Sequence, residues 1–201
     1  IWSTDIGLSK SRNLAFNHCK TSFLICSDWD TRYGGGGLTG LLSKAKMLGS
    51  DVPFIRFGVL RSDKFEIVYR DIIGPKNLDI LGAKRNKSAL SLSSISSVQI
   101  CWNVEFIRKF GLKFDEALGL GNRSVLPSFG EEYLLALQCW SYAGSYYETT
   151  ELIGVTRADS SGARATGAGK ILLASYVFYK LFISFPRKSS FIFLQRVKKK
   201  L

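Results

Sequence analysis

Apolar and polar positions along this chain follow two rhythms, one of strands and one of helices. Phe23-Leu24-Ile25-Cys26 is wholly apolar and stops at Ser27-Asp28-Trp29-Asp30. Such a run predicts a strand buried on both faces, as in a parallel sheet covered by helices. After the loop Tyr33-Gly34-Gly35-Gly36-Gly37, residues Leu38, Leu41, Leu42, Ala45 and Leu48 recur at helical steps. Phe54 to Leu60 and Phe65 to Tyr69 predict a hairpin around the polar turn Arg61-Ser62-Asp63-Lys64. Val98 to Trp102 predicts another strand, followed by a short helix through Phe106, Ile107 and Phe110 to Gly111. A Gly- and Ser-rich loop from Gly119 to Gly130 leads into a helix from Glu131 to about Ala143, then an extended stretch from Tyr146 to Leu152. Upstream, Ser9 or Ser11 caps a helix through Arg12, Leu14, Ala15 and His18. Residues 74–97 predict a loop or flap and 160–169 a flexible basic segment. An apolar helix from Lys170 to Phe185, interrupted at Lys180, closes the pattern. Strands alternating with helices predict an α/β fold.

Composition narrows the function classes. With 46% hydrophobic and 22% charged residues over 201 positions, the chain is a globular domain with room for a tail, not a disordered or collagen-like polymer. The net charge of +12 favours anionic partners, and half of it lies in Arg187, Lys188, Arg196, Lys198, Lys199 and Lys200. Cys19, Cys26, Cys101 and Cys139 form no CxxC pair, which argues for reduced thiols in a cytoplasmic compartment rather than a disulfide framework or zinc site. No apolar run reaches the roughly 18 residues of a spanning helix. There is no secretory signal, and the opening at Ile1 suggests a fragment.

Three groups of residues carry candidate chemistry. Asp28 and Asp30 sit at the end of an apolar strand, where open α/β sheets bind ligands. On extended chain their i, i+2 spacing turns both carboxylates to one side, as hard oxygen ligands for Mg²⁺ or Mn²⁺. A plain strand-ending turn is the alternative. Ser128-Phe129-Gly130-Glu131-Glu132 matches a capping box in which Ser128 and Glu131 satisfy each other's backbone amides. That explains Glu131 but leaves Glu132, a carboxylate in a helix's first turn, free to accept a proton from an attacking hydroxyl. Lys10, Arg12, Arg164 and Lys170 offer cations for a diphosphate, or are solvated surface charge. The sole histidine, His18, has no Ser or Cys constellation around it and is assigned a structural role.

Together these pieces resemble glycosyltransferase family 2, GT-A-fold enzymes that use nucleotide-sugar donors. Gly7-Leu8-Ser9-Lys10-Ser11-Arg12-Asn13 is similar to that family's G-x-S-x-A-R-N helix, and Phe23 to Asp30 to its strand ending in the DxD metal motif. Phe114-Asp115-Glu116 with Gly119-Leu120-Gly121 resembles the FDE…G-x-G stretch of bacterial polysaccharide members. Gly130-Glu131-Glu132 resembles the segment carrying the catalytic base, and Ala163 to Gly169 the basic segment downstream. The resemblance implies a partial GT-A, Rossmann-like mixed sheet flanked by helices over residues 1–169, with a helical tail over 170–201. It implies an inverting transferase in which Asp28 and Asp30 hold Mg²⁺ or Mn²⁺ against the donor diphosphate. Glu132, with Glu131 as alternative, would be the general base. Lys10, Arg12, Asn13, Asp28 and Arg164 would border the donor, and Gly119, Gly121, Ser128 and Gly130 the acceptor, a polysaccharide or lipid-linked glycan.

The chain departs from the family in three places. No strand with a P-T-x-N-like turn precedes Gly7, so the expectation is a truncated copy, inactive unless those strands are supplied. No histidine follows Glu132. Gln138-Cys139-Trp140 does not make the Q-x-x-R-W of processive synthases, which favours single-sugar transfer. The apolar and basic tail is either a core-packing terminal helix or a segment lying at the inner face of the cell membrane. The rival reading is a non-catalytic basic module that binds nucleic acid or an anionic membrane surface. Its nucleic-acid form is disfavoured, because the aromatics are not interleaved with Lys and Arg outside the tail. A different nucleotidyl-sugar enzyme would share Asp28 and Asp30 and need no carboxylate at Glu132.

Overall fold

Alternate side chains of the central strands feed two different cores, and this sets the architecture. A computed structural model describes residues 7–74, 82–121, 126, 129–158 and 167–188. Its strands are β1 (Phe23–Ile25), β2 (Thr31–Tyr33), β3 (Phe54–Arg61), β4 (Lys84–Asn86), β5 (Ile100–Asn103) and β6 (Tyr146–Thr156). Its helices are α1 (Leu8–His18), α2 (Gly35–Leu48), α3 (Phe65–Val68), α4 (Val104–Lys109), α5 (Glu131–Ala143) and α6 (Gly167–Ser184). The sheet runs β1-β5-β3-β6-β2, with β4 also on β6. Only β3 and β6 are parallel; the other pairings are antiparallel.

Period-two alternation is plain on β5, where Ile100 and Trp102 enter one core and Cys101 the other. The larger core joins Phe16 of α1, Phe54, Trp102, Phe114 and the apolar face of α5. Its rings lock in series: Phe54–Trp102 at 5.4 Å, Trp102–Phe114 at 5.8 Å and Phe16–Phe114 at 5.5 Å between centroids. Each such burial is worth about 1.5–3 kcal/mol. Under α2, Leu41 and Ala45 meet Ile55, Phe57, Cys101 and Ile153 on the opposite face. Helix α1 is anchored at its end by the Arg108 guanidinium, which donates to the carbonyls of Phe16 at 2.8 Å and Cys19 at 2.6 Å. All four cysteines are free thiols.

The α/β class and the mixed sheet flanked by helices agree with the sequence reading, and five local expectations change. Strand β1 lies at the sheet edge, half-buried and antiparallel to β5, not doubly covered in a parallel sheet. Phe65 to Tyr69 is helical, continuing through a wide turn at Tyr69–Ile73. There Phe65, Val68, Tyr69 and Ile73 fall on one face against Leu152 and Val155, and the long parallel β6 takes the place of a hairpin partner. Of the expected loop Tyr33–Gly37, Tyr33 ends strand β2, paired with β6, and Gly35–Gly37 already form the first turn of α2. Within the expected flap, β4 and 3-10 turns at Ala89–Ser94 and Ser97–Gln99 are ordered by Ala89 and Leu92, both buried beneath α5. Neither Ser9 nor Ser11 caps α1; Gly7 precedes it, and the Ser9 hydroxyl donates to the Leu118 carbonyl at 2.8 Å.

Candidate functional site

Arg12 is the hub. It lies on the inward face of α1, 6% exposed, over the Phe114 ring at 5.4 Å. Its Nη1 donates to Glu131 Oε1 at 2.8 Å and to Glu132 Oε1 at 2.9 Å. One guanidinium therefore joins α1 to the first turn of α5, across 119 residues of chain. A buried cation holding two adjacent carboxylates fixes their positions, and removing it strands both charges.

The two glutamates differ. Glu131 is 2% exposed, and its Oε2 has no hydrogen-bond partner among the described residues. Burial, reinforced by the neighbouring Glu132 charge and opposed by Arg12, pushes Glu131 up to about 7. Glu132 is less enclosed, with 14% of its side chain accessible against 3% for Glu131. The helix starts at Glu131 with Gly130 before it and no side-chain cap. Glu131 thus stands at the first helical position, not the third, and its carboxylate turns to Arg12. The expected capping box is not formed through it.

Next to Arg12, Asn13 clasps the segment after α4. Its side-chain amide donates to the Phe114 carbonyl and to Glu116 Oε1, both at 3.0 Å, while its oxygen accepts from the Phe114 amide at 2.8 Å. On the far side of that segment Asp115 Oδ2 accepts from the Tyr176 hydroxyl and meets Lys180 Nζ, both at 2.9 Å, which ties in α6. Those bonds hold Asp115 below the ordinary carboxylate range despite its partial burial. Gly119 has φ +92°, and a Cβ there would meet Ser9 Oγ at 2.8 Å and the Glu131 carboxyl carbon at 3.2 Å. Only glycine fits between them. Gly130, at φ +94°, likewise leaves its Cβ space to Leu173 of α6.

Asp28 and Asp30 belong to a tight turn, closed by the Thr31 amide donating to the Asp28 carbonyl at 3.1 Å. The chain there is not extended, so the i, i+2 argument for a shared side does not apply. Even so, Asp28 is brought into the field of the hub. Partial desolvation raises its carboxyl, Arg12 opposes that, and the negative charges of Asp30 and Glu132 add to it. Cys26, at the strand tip, is pushed up to about 11 by burial and by the same Glu132 and Asp28 charges, so its thiol stays protonated. Asp30 lies within 3.5 Å of the Thr156 hydroxyl at the end of β6. Trp29, between them, is 87% exposed and has the Arg157 guanidinium 5.3 Å from its ring centroid.

The structure therefore gathers Arg12, Glu131, Glu132 and Asp28 into one electrostatic neighbourhood, with Asp30 at its rim. Lys10 is partly exposed on α1. Arg12 and Asn13, expected beside the nucleotide, are buried and engage protein partners. Gly119, expected beside the acceptor, is buried against Ser9 and Glu131, which makes it a packing position. Gly121 is exposed. Ser128 and Arg164 lie outside the described residues. Sequence reasoning gave no role to Phe114 or Trp29. Their signals were an aromatic opening the Phe114-Asp115-Glu116 motif and a large aromatic inside a turn. A shallow pocket of about 210 Å³ between Phe23, Lys46, Asn103 and Glu105 lies at the other end of β1 from Asp28.

Among the described residues no group of three or more His, Cys, Asp or Glu could hold a metal ion. A pair of carboxylates still suits Mg²⁺ or Mn²⁺, which keep several waters and complete their shell with substrate phosphates. Partial burial is the main reason the Asp28 carboxyl is raised, with Arg12 opposing it and Asp30 and Glu132 adding to it, so a cation here would share the site with the Arg12 charge.

No protein-family profile matches the chain, and no curated protein matches it. Solved structures do. The chain is similar to residues 1–349 of TarS from S. aureus in complex with UDP, with a TM-score of 0.56 and 10% identity, over 88% of this chain and 45% of that one. Against TarS 1–349 in complex with UDP-GlcNAc the TM-score is 0.58 at 9% identity, over 90% of this chain and 49% of that one. The fold is glycosyltransferase-like. It is a partial one, since this chain spans less than half the length of the TarS chains it matches. Among the described residues no helix is long and apolar enough to cross a membrane.

Proposed function

We propose that this chain is part of an inverting glycosyltransferase that moves one sugar from a nucleotide-sugar donor to a hydroxyl of a glycan or lipid-linked acceptor. What supports the reading is the Arg12–Glu132 pair, 2.9 Å apart, together with Asp28, whose carboxyl both charges influence. The fold, and neighbours crystallised with UDP and UDP-GlcNAc, support the donor class. Family 2 is the subdivision whose motifs this sequence resembles.

In this reading Glu132 is the general base, because it is the more accessible of the two glutamates. It takes the acceptor O–H proton as that oxygen bonds to the anomeric carbon and the bond to the diphosphate oxygen breaks. The electron pair leaves with the nucleoside diphosphate. Asp28 and Asp30 would hold Mg²⁺ or Mn²⁺, which would supply positive charge to the departing diphosphate. Arg12 is a positioning residue: it aims the Glu132 carboxylate through a 2.9 Å bond. Glu131 is held near neutrality beside it, so the pair carries less than its full double charge.

The test is release of nucleoside diphosphate from UDP-sugar donors by the full gene product, with and without Mn²⁺. Glu132→Gln should lower transfer by about 10²–10⁴-fold, the range for a lost general base. Activity retained in Glu132→Gln would remove the assignment, and activity lost only in Glu131→Gln would transfer it to the neighbour.

A further inference from the structure

Helix α6 has two apolar faces, and one of them is buried against the core. Val177 and Leu181 are buried against the main core, joined by the half-buried Leu173, Tyr176 and Phe185. On the other side Ile171, Leu172, Tyr179, Phe182 and Ile183 recur at helical spacing, and all five are more than half exposed. An exposed apolar stripe of this size is an interaction surface.

Charge identifies its occupant. From Gly167 to Leu201 the sequence has no Asp or Glu, while Lys170, Lys180, Arg187, Lys188, Arg196, Lys198, Lys199 and Lys200 give eight cations. A second copy of the chain would bring the same cations against this face, so self-association there is opposed by like charge. An apolar stripe with the exposed Lys170 and Arg187 at its two ends and no acid on its helix fits a surface of acyl chains beneath anionic headgroups. A helix that packs on its own fold by one face and meets lipid by the other lies in the plane of the bilayer.

We infer that the outer face of α6 docks this protein on an anionic lipid bilayer. The docking stands on the helix itself; only its consequence rests on the proposed sugar transfer. Leu173 occupies the space that a Cβ on Gly130 would need, so α6 packs directly beside the first turn of α5. Docking therefore brings Glu132 close to the bilayer surface, where the hydroxyl of a lipid-linked acceptor is presented.

The experiment is flotation of the full protein with vesicles of phosphatidylcholine alone or mixed with phosphatidylglycerol, at low and high salt. The expected result is binding to the mixed vesicles, weakened by salt and by Arg187→Gln. Phe182→Ser with Ile183→Ser should weaken it by roughly tenfold or more, the effect of taking large apolar side chains out of the acyl region. Both positions are solvent-facing, so the unfolding midpoint should not move, and a fall in it is checked by Ile171→Ser at the other end of the stripe. Failure of the wild-type protein to bind, or equal binding by the doubly substituted protein, would overturn the inference. So would a wild-type dimer that Phe182→Ser dissociates. Transfer to a water-soluble acceptor separates the two readings: it should survive loss of vesicle binding and be lost in Glu132→Gln, which should still float.

Discussion

The two halves of the candidate site are built to opposite standards. The α1–α5 half is cross-linked: Arg12 grips two carboxylates, Asn13 makes three bonds to the segment after α4, and both side chains are buried. The Asp28–Asp30 half is a turn on an edge strand, closed by one backbone bond, with Trp29 projecting into solvent. The difference teaches where the fold has prepaid the ordering of its groups and where a ligand must finish it. On the proposed reading, a base has to be held before the acceptor arrives, whereas a metal-binding turn would be completed by the metal and the donor phosphates.

Substitution should expose this asymmetry most strongly at Arg12. Arg12→Ala leaves Glu131 and Glu132 buried without their cation and should cost about 3–5 kcal/mol in urea unfolding. Asp28→Asn is its counterpart on the other half. It removes a carboxyl that folding already pushes up, so stability should stay within about 0.5 kcal/mol of wild type, or rise. Comparable losses from both would erase the contrast.

Gly119→Ala should cost about 1–3 kcal/mol, because it adds both a strained φ and a contact with Ser9 and Glu131. Gly111→Ala, at φ +60° with open space around its Cβ, bears only the backbone part and should cost about 1 kcal/mol. Thermal unfolding of the two variants separates packing from strain.

A smaller effect should be visible with pH. Folding raises Glu131 from its ordinary value of 4.5 to about 7, so the folded protein retains a proton that the unfolded chain releases. The contribution is complete below pH 4.5 and is lost as pH rises through about 7. Denaturation midpoints should fall across that window, and Glu131→Gln should flatten the slope. A slope unchanged in the variant would place the titration elsewhere.

Much of the fold was legible because its signals are local. The apolar faces of α2 and α5 and the strand run before Asp28 show in residue spacing alone. What misled was partnership. Phe65 to Tyr69 looks like a strand until Val155 supplies a surface for one helical face. The run Phe23–Cys26 looks doubly buried until its place at the sheet edge is known. Within the site, the acids were visible as types and positions. The partner of Glu131 was not, because a capping box and a buried ion pair to Arg12 place the same residue in a helix's first turn. Spacing cannot choose between a backbone amide three residues away and a guanidinium 119 residues away.

The convergence itself is most directly measured by the carboxyl titration of Asp28, followed by ¹³C NMR in the wild-type protein and in Glu132→Gln. Removing the Glu132 charge should move Asp28 down toward its ordinary range, since that charge helps to raise it. An Asp28 titration indifferent to Glu132→Gln would mean that the turn and the helix do not share a site.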